Sequence, residues 1–133
     1  RCTRTGRPDT TDGYGGKEVR GNSHSADLIA CFPEVFPAPR SGEVYNMGGG
    51  RVSNCSMVEA IEVCERIAGR ELNHKYSETN RVGDHIWWIS DLARFESHYP
   101  GWKLEYSIEG ILQEIYDPNV ERWAGGKTTT VKG

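Results

Sequence analysis

The stretch from Ser56 to Gly69 restricts the fold more than any other part of this sequence. It opens with Ser56-Met57-Val58-Glu59, a capping box in which a serine and a glutamate satisfy the first free amides of a helix. Apolar residues then recur at helical spacing: Met57, Ala60, Ile61, Cys64 and Ile67. With Gly69 as the stop signal, the stretch predicts an amphipathic helix that covers a core.

Four segments around this helix have the composition of short strands: residues 17–19, 43–47, 72–76 and 86–89. Further helices are predicted from Ser25 to an interruption at Pro33, at residues 92–99 behind Asp91, and after Ser107. Because short strands alternate with helices, the sequence predicts an α/β fold. Three or four strands are few for a complete doubly wound sheet, so we expect an incomplete one.

The composition is that of a soluble globular domain. The 133 residues suffice for one domain with a core, and 36% of them are apolar and 26% charged. The net charge of −3 argues against a nucleic-acid surface, and no run approaches the ~20 apolar residues of a membrane span. The four cysteines match no zinc or redox spacing, so we expect a reduced, cytoplasmic protein.

Patterns that would mark a catalytic centre are absent from the sequence. No Gly-x-Gly-x-x-Gly follows a predicted strand, and there is no Walker loop, Gly-x-Ser-x-Gly elbow or His-Glu-x-x-His helix. Tyr99 and Lys103 have the Tyr-x-x-x-Lys spacing of a proton-transfer pair, but Pro100 and Gly101 between them break the helix that the pair requires. The four histidines lack metal-ligand spacing. We therefore expect no catalytic residue and no metal site in this chain.

Arginines in polar turns are the remaining candidates for a binding site. Arg20 lies between a predicted strand and a helix start, and Arg81 lies in a similar junction. Two converging guanidinium groups would make a clamp for a diphosphate. The alternative is that each is a surface residue or pairs with a nearby carboxylate such as Asp27 or Asp84. His24 fits a hydrogen bond at a helix terminus better than a role in proton transfer.

Two groups of large apolar residues remain. Leu28, Ile29 and Phe32 recur at the spacing of one helix. Trp87 and Trp88 are adjacent, so in a strand their side chains point to opposite faces. We expect at least one of these tryptophans to lie in the core and the other to line a pocket or cover a partner surface.

Three segments resemble the extended short-chain dehydrogenases/reductases that act on nucleotide sugars. Residues 20–27 resemble an Arg-Asp-x-x-His-x-x-Asp segment, residues 45–50 a Tyr-Asn-x-Gly-x-Gly strand and turn, and residues 81–84 an Arg-x-Gly-Asp segment. Residues 54–102 are similar more narrowly to CDP-sugar 2-epimerases, and the resemblance covers about residues 1–123. Gly21, Ser23, Pro33 and Pro37 depart from the family pattern, which predicts a looser junction at Arg20 and a broken helix.

The resemblance implies a C-terminal substrate-binding lobe together with the last strand of an NAD-binding Rossmann-type domain, at residues 44–47. The glycine-rich loop and the Tyr-x-x-x-Lys pair would precede Arg1, so we expect this chain to be part of a longer enzyme. The whole enzyme would bind NAD, whereas residues 1–123 alone would bind none and be inactive. Residues 124–133 are predicted to be a flexible tail.

The resemblance also assigns binding residues. Arg20 and Arg81 match the family arginines that contact the substrate diphosphate. Further pocket candidates are Asn22, His24, Asp84 and His85. The expected partner is a nucleotide sugar, most specifically a CDP-sugar, although UDP- or dTDP-sugars would use the same arginines. The alternative is a non-catalytic structural or interaction fragment that forms a homodimer over its unpaired strand.

Overall fold

Two small β-sheets and five α-helices make up the part of the chain that this computed structural model describes, residues 9–12, 14–77, 83 and 85–124. The strands are β1 (Asp9–Asp12), β2 (Val19–Gly21), β3 (Asn54–Ser56), β4 (His74–Ser77) and β5 (Trp87–Trp88). The helices are α1 (Ser25–Val35), α2 (Met57–Ala68), α3 (Ala93–His98), α4 (Ile108–Tyr116) and α5 (Val120–Ala124). The predicted incomplete α/β fold is confirmed.

Strand β2 is the central strand of a three-stranded sheet. It pairs antiparallel with β3 and parallel with β5, in the order β3-β2-β5. The strands predicted at residues 72–76 and 86–89 are present, with shifted ends, as β4 and β5. Strand β4 belongs to a separate sheet, where it pairs in parallel with β1, a strand that the sequence did not predict.

Residues 43–47 do not form the predicted strand. Within the described part of the chain their backbone pairs with no other strand, and the side chain of Tyr45 holds the segment in place. The Tyr45 ring packs edge-on against Phe95 of α3 at 5.2 Å, and its hydroxyl lies 2.8 Å from Nδ1 of His98. An extended segment joins a sheet only where a neighbouring strand offers its backbone groups, and none of the described strands pairs with this one.

Helix α1 continues past Pro33, although the sequence predicts an interruption there. A proline inside a helix removes one hydrogen bond and crowds the preceding turn. Cys31 and Val35, on either side of Pro33, pack into the core, and the amide of Phe36 still donates to the carbonyl of Phe32 at 2.9 Å. Packing of the helix therefore outweighs the local cost of the proline, and the predicted broken helix is wrong.

Helix α2 begins and ends as predicted. The amide of Ser56 donates to Oε2 of Glu59 at 2.7 Å, and the amide of Glu59 donates to Oγ of Ser56 at 3.2 Å, so both bonds of the capping box form. Gly69 ends the helix in the left-handed conformation, with φ of 65°. Along the predicted apolar stripe Ile61 is buried, whereas Met57 in the first turn is exposed.

The core lies where α1 meets α3 and the segment that follows it. Its buried members are Cys31, Leu92, Phe95, Tyr99 and Trp102. Helix α3 ends at His98, and the hydroxyl of Tyr99 donates to the carbonyl of Ala38 at 3.2 Å. As the sequence predicts, Tyr99 and Lys103 therefore do not share a helix.

A close backbone approach at Gly49 generates the first prediction. A Cβ added at Gly49 would overlap the carbonyl oxygens of Asn22 and Ser53, and backbone atoms cannot rotate away as a side chain can. We expect Gly49→Ala to lower the free energy of unfolding by more than the ~1–3 kcal/mol of ordinary overpacking, measured by urea denaturation. The matched control is Gly110→Ala in α4, where the nearest atom is Oγ of Ser107 at 3.6 Å. Equal stability of the two variants would contradict this packing.

The capping box generates a pH-dependent prediction. Hydrogen bonds from Ser56, first from its amide and then from its hydroxyl, lower the pKa of Glu59. A lowered pKa stabilises the fold above the unfolded-state pKa of about 4.3, and this contribution disappears as the pH falls through the lower folded-state pKa. We therefore expect Glu59→Gln to cost about 0.5 kcal/mol or less at pH 7, because the group is solvent-exposed, and nothing at strongly acidic pH.

The measurement is urea denaturation of both proteins as a function of pH, repeated in a Ser56→Ala background. Without the serine hydroxyl, the pH-dependent part of the difference should shrink. A difference that stays constant with pH, or that grows towards acid, would show that the capping bonds do not favour the ionised carboxylate.

Candidate functional site

The pairing of strands in the three-stranded sheet places Arg20 beside Trp88. Arg20 of β2 is opposite Cys55 of β3 and opposite Trp88 of β5. Paired residues project their side chains to the same face of a sheet, whereas the next pair along the strand, Val19 and Trp87, projects to the other face. The two tryptophans therefore separate as predicted, and Trp88 is the one that shares a face with Arg20.

The guanidinium of Arg20 contacts a carboxylate that the sequence analysis did not consider. Its Nη2 lies 3.3 Å from Oε2 of Glu18, and its Nη1 donates to the carbonyl of Val19 at 3.2 Å. The side chain of Arg20 is 34% exposed, so the guanidinium is accessible to solvent. Arg20 is therefore ion-paired, but with Glu18 rather than with Asp27. Residues two positions apart in an extended segment share a face, which is the sequence signal for this pair.

Asn22 stabilises the end of β2 through several contacts. Its amide donates to the carbonyl of Ser53 at 2.7 Å, and its side-chain Nδ2 lies 3.1 Å from the carbonyl of Arg20 and 3.6 Å from Sγ of Cys55. Gly21, between these residues, keeps its place in the sheet opposite Asn54. The predicted loosening of the Arg20 junction is therefore not observed, because neighbouring backbone bonds hold it.

His24 is engaged by residues of α1 and of the C-terminal part of the chain. Its Nδ1 accepts a hydrogen bond from the amide of Ala26 at 3.1 Å, and its Nε2 lies 3.2 Å from Oε2 of Glu114. The ring stacks on Tyr106 with centroids 3.9 Å apart. An acceptor at Nδ1 places the proton on Nε2. The interpretation of His24 as a hydrogen-bonding residue at a helix terminus is confirmed.

Of the other pocket candidates, the structure describes His85 alone. Its ring lies 5.0 Å from the ring of Trp88, which brings it to the same end of the sheet as Arg20. Arg81 and Asp84 lie outside the described residues, so the convergence of Arg81 with Arg20 and the place of Asp84 in the pocket stay predictions.

The expectation that one of the two tryptophans lies in the core is wrong. Trp87 is 66% exposed and Trp88 is 57% exposed. Strand β5 is two residues long and is an edge strand of the three-stranded sheet, where both tryptophan side chains stay largely exposed.

A cleft of about 760 Å³ opens on the Trp87 face of the sheet. Its walls include Arg51, Asn54, Trp87, Asp91 and Glu96, so it carries charges of both signs. Oδ1 of Asp91 also accepts a hydrogen bond from the amide of Ala93, the first residue of α3, at 3.0 Å. The Arg20 face differs from this cleft in that its arginine lies on the central strand of the sheet and is paired directly with a tryptophan.

Nucleophilic and metal chemistry find little support in the described residues. Burial raises the pKa of the Cys31, Cys55 and Cys64 thiols, which favours the unreactive thiol over the thiolate. Across residues 9–12, 14–77, 83 and 85–124, no group of three or more His, Cys, Asp or Glu side chains is arranged to hold a metal ion. In the same residues, no helix has the length and apolar character needed to cross a membrane.

Solved structures similar to this chain are enzymes of nucleotide-sugar metabolism. The dTDP-glucose 4,6-dehydratase of Bacillus anthracis, in complex with NAD, has a TM-score of 0.71 and 26% identity over 92% of this chain and 38% of that one. The UDP-glucuronic acid 4-epimerase of Bacillus cereus, in complex with UDP-glucuronic acid and NAD, has a TM-score of 0.73 and 20% identity over 87% of this chain and 36% of that one.

A third match is the UDP-glucose 4-epimerase of Bifidobacterium longum with NAD⁺ and UDP, with a TM-score of 0.67 and 24% identity over 86% of this chain and 36% of that one. No protein-family model and no curated protein matches the sequence. This chain thus has the fold of part of an NAD-dependent epimerase or dehydratase, and it spans a little over a third of the length of these structures.

Proposed function

We propose that this chain is the substrate-binding portion of an NAD-dependent nucleotide-sugar 2-epimerase of the type that converts CDP-paratose to CDP-tyvelose. The observation that carries the proposal is the position of Arg20, a partly exposed guanidinium on the central strand of the sheet, beside the exposed ring of Trp88. NAD, bound by the rest of such an enzyme, would supply hydride transfer at C2 of the sugar. The chain alone would bind its ligand without turning it over.

In this proposal Arg20 and Arg81 bind the diphosphate. A guanidinium presents a rigid fork of donors that matches phosphate oxygens, and such charge-assisted bonds are among the stronger polar contacts in proteins. Trp88 and His85 offer aromatic surface next to Arg20, against which a sugar or base ring could pack. Asn22 acts indirectly, because its contacts hold the backbone that carries Arg20. His24 has a structural role in this scheme, at the start of α1.

Calorimetric titration of the full chain with CDP tests the diphosphate contact. We expect Arg20→Ala to weaken binding at least about tenfold, because a charge-assisted hydrogen bond contributes about 1.5–3 kcal/mol. Arg20→Lys should give an intermediate affinity, since lysine keeps the charge and loses the fork. The control is Arg122→Ala, an exposed arginine of α5 that should bind like wild type.

Parallel titrations with UDP and dTDP test which nucleotide base the chain prefers. Tighter binding of CDP would support a CDP-sugar, and tighter binding of UDP or dTDP would favour an epimerase or dehydratase for those sugars. Equal binding heats for wild type and Arg20→Ala would show that Arg20 does not contact the diphosphate.

The ion pair between Arg20 and Glu18 predicts that a substitution of Glu18 strengthens CDP binding. An incoming diphosphate competes with the Glu18 carboxylate for the same guanidinium. We expect Glu18→Gln to tighten CDP binding roughly two- to fivefold at low salt, with a smaller gain at high salt, because partly exposed charges at this distance interact modestly. Weaker binding by Glu18→Gln would show instead that Glu18 holds Arg20 in its binding position.

A non-catalytic interaction module is the second candidate function. The observation that favours it is the set of large apolar side chains on the surface, above all Ile29, Phe32 and Phe36 of the first helix and its C-terminal end, which are 63%, 62% and 88% exposed. Exposed groups of this kind mark association surfaces. A chain that gives no heat with CDP, UDP or dTDP but associates with itself would favour this candidate over the epimerase portion.

A further inference from the structure

His24 caps helix α1 in a way that only the neutral imidazole permits. The residue is the N-cap of α1, and its Nδ1 accepts a hydrogen bond from the amide of Ala26 at 3.1 Å. The usual N-cap side chains accept through an oxygen, which remains an acceptor at neutral and mildly acidic pH. A histidine nitrogen accepts only while it carries no proton, and imidazoles change charge between about pH 5 and 8.

The second ring nitrogen connects α1 to α4. Nε2 of His24 lies 3.2 Å from Oε2 of Glu114, and the ring stacks on Tyr106 with centroids 3.9 Å apart. In the neutral ring Nε2 carries the proton and donates it to Glu114, so both nitrogens are used at once. The side chain of His24 is 19% exposed, which leaves the ring accessible to a proton from solvent.

The groups that face His24 respond to a second proton in opposite ways. Glu114 attracts the imidazolium, but its side chain is 59% exposed, and an exposed ion pair shifts an equilibrium by up to about fivefold. Asp27, in the first turn of α1, is also anionic, but its two oxygens already accept from the amides of Glu105 and Tyr106.

Protonation of Nδ1 opposes these attractions at the start of the helix. It sets two donors against each other at the amide of Ala26, and it places a positive charge at the positive end of the helix dipole. Loss of an N-cap bond changes the equilibrium of a helix start by about 2- to 30-fold. Because the loss of the cap is the larger effect, acid weakens the first turn of α1.

We propose that His24 is a proton-sensitive link between α1 and α4. While the ring is neutral, it caps α1 and donates to Glu114. A proton taken up from solvent at Nδ1 releases the amide of Ala26, so the first turn of α1 opens while the ring stays with Glu114. The link involves neither Arg20 nor a nucleotide, so it goes beyond the proposed function and can be tested without it.

Nuclear magnetic resonance of the full wild-type chain tests the proposal at the ring. At neutral pH, a long-range proton–nitrogen correlation spectrum should show the tautomer of His24 with its proton on Nε2. On acidification, the amide resonance of Ala26 should change along the same titration curve as the ring. A ring with its proton on Nδ1 at neutral pH would overturn the proposal, and so would an Ala26 resonance that does not follow protonation of the ring.

Hydrogen exchange of the Ala26 amide in variants provides a second test. His24→Asn keeps an acceptor at the N-cap whether the solution is neutral or acidic. Relative to this variant, the wild-type amide should exchange at a similar rate while His24 is neutral and at least about fivefold faster once it is protonated. Glu114→Gln removes the attraction for the imidazolium, so in that variant the Ala26 resonance should change at a lower pH than in wild type.

The matched control is His74→Asn in β4. Nδ1 of His74 lies 3.1 Å from the carbonyl of Leu72, a contact in which the nitrogen is the donor, so protonation does not break it. This variant should leave the exchange of Ala26 as in wild type under both conditions. A ratio of wild type to His24→Asn that is the same at neutral and acidic pH would refute the link, as would an equally large effect of His74→Asn.

Discussion

The buried carboxylate of Asp27 joins the start of α1 to the C-terminal part of the chain. Its two oxygens accept hydrogen bonds from the amides of Glu105 at 3.0 Å and Tyr106 at 3.4 Å, and its backbone carbonyl accepts from Nε1 of Trp102 at 2.9 Å. A buried carboxylate without donors costs several kcal/mol, so these segments must come together as the chain folds. Because α1 follows β2 after a short turn, the position of Arg20 depends on this junction.

The same junction gives a structural explanation for the His-x-x-Asp spacing of His24 and Asp27. Tyr106, whose amide donates to Asp27, stacks its ring on His24, and both ring nitrogens of His24 have partners. The two residues of the spacing thus act together to seat α1 on the C-terminal segment. In the segment from Arg20 to Asp27, the side chain of Arg20 is 34% exposed, whereas His24 and Asp27 are engaged in seating the helix.

Features that depend on nearby residues were predictable from the sequence, and features that depend on tertiary neighbours were not. The capping box at Ser56 and the stop at Gly69 involve partners within four positions, and both are present as predicted. The continuation of α1 through Pro33 depends instead on core packing of its other side. The exposure of Trp87 and Trp88 depends on the place of β5 in the sheet, which no spacing in the sequence encodes.

The candidate site follows the same division. The sequence identified Arg20 as a candidate because the residue type and the junction were visible, but the pairing of Arg20 with Trp88 joins segments that are far apart in the chain. In the proposed site, the ion pair of Arg20 with Glu18 also affects how Arg20 would bind a diphosphate. With Glu18 beside it, Arg20 offers little net positive charge, and a diphosphate brings at least two negative charges. In the proposed site, a second cation beside Arg20 would make the exchange of Glu18 for the ligand more favourable, and Arg81 is the residue that the sequence pattern nominates for that role.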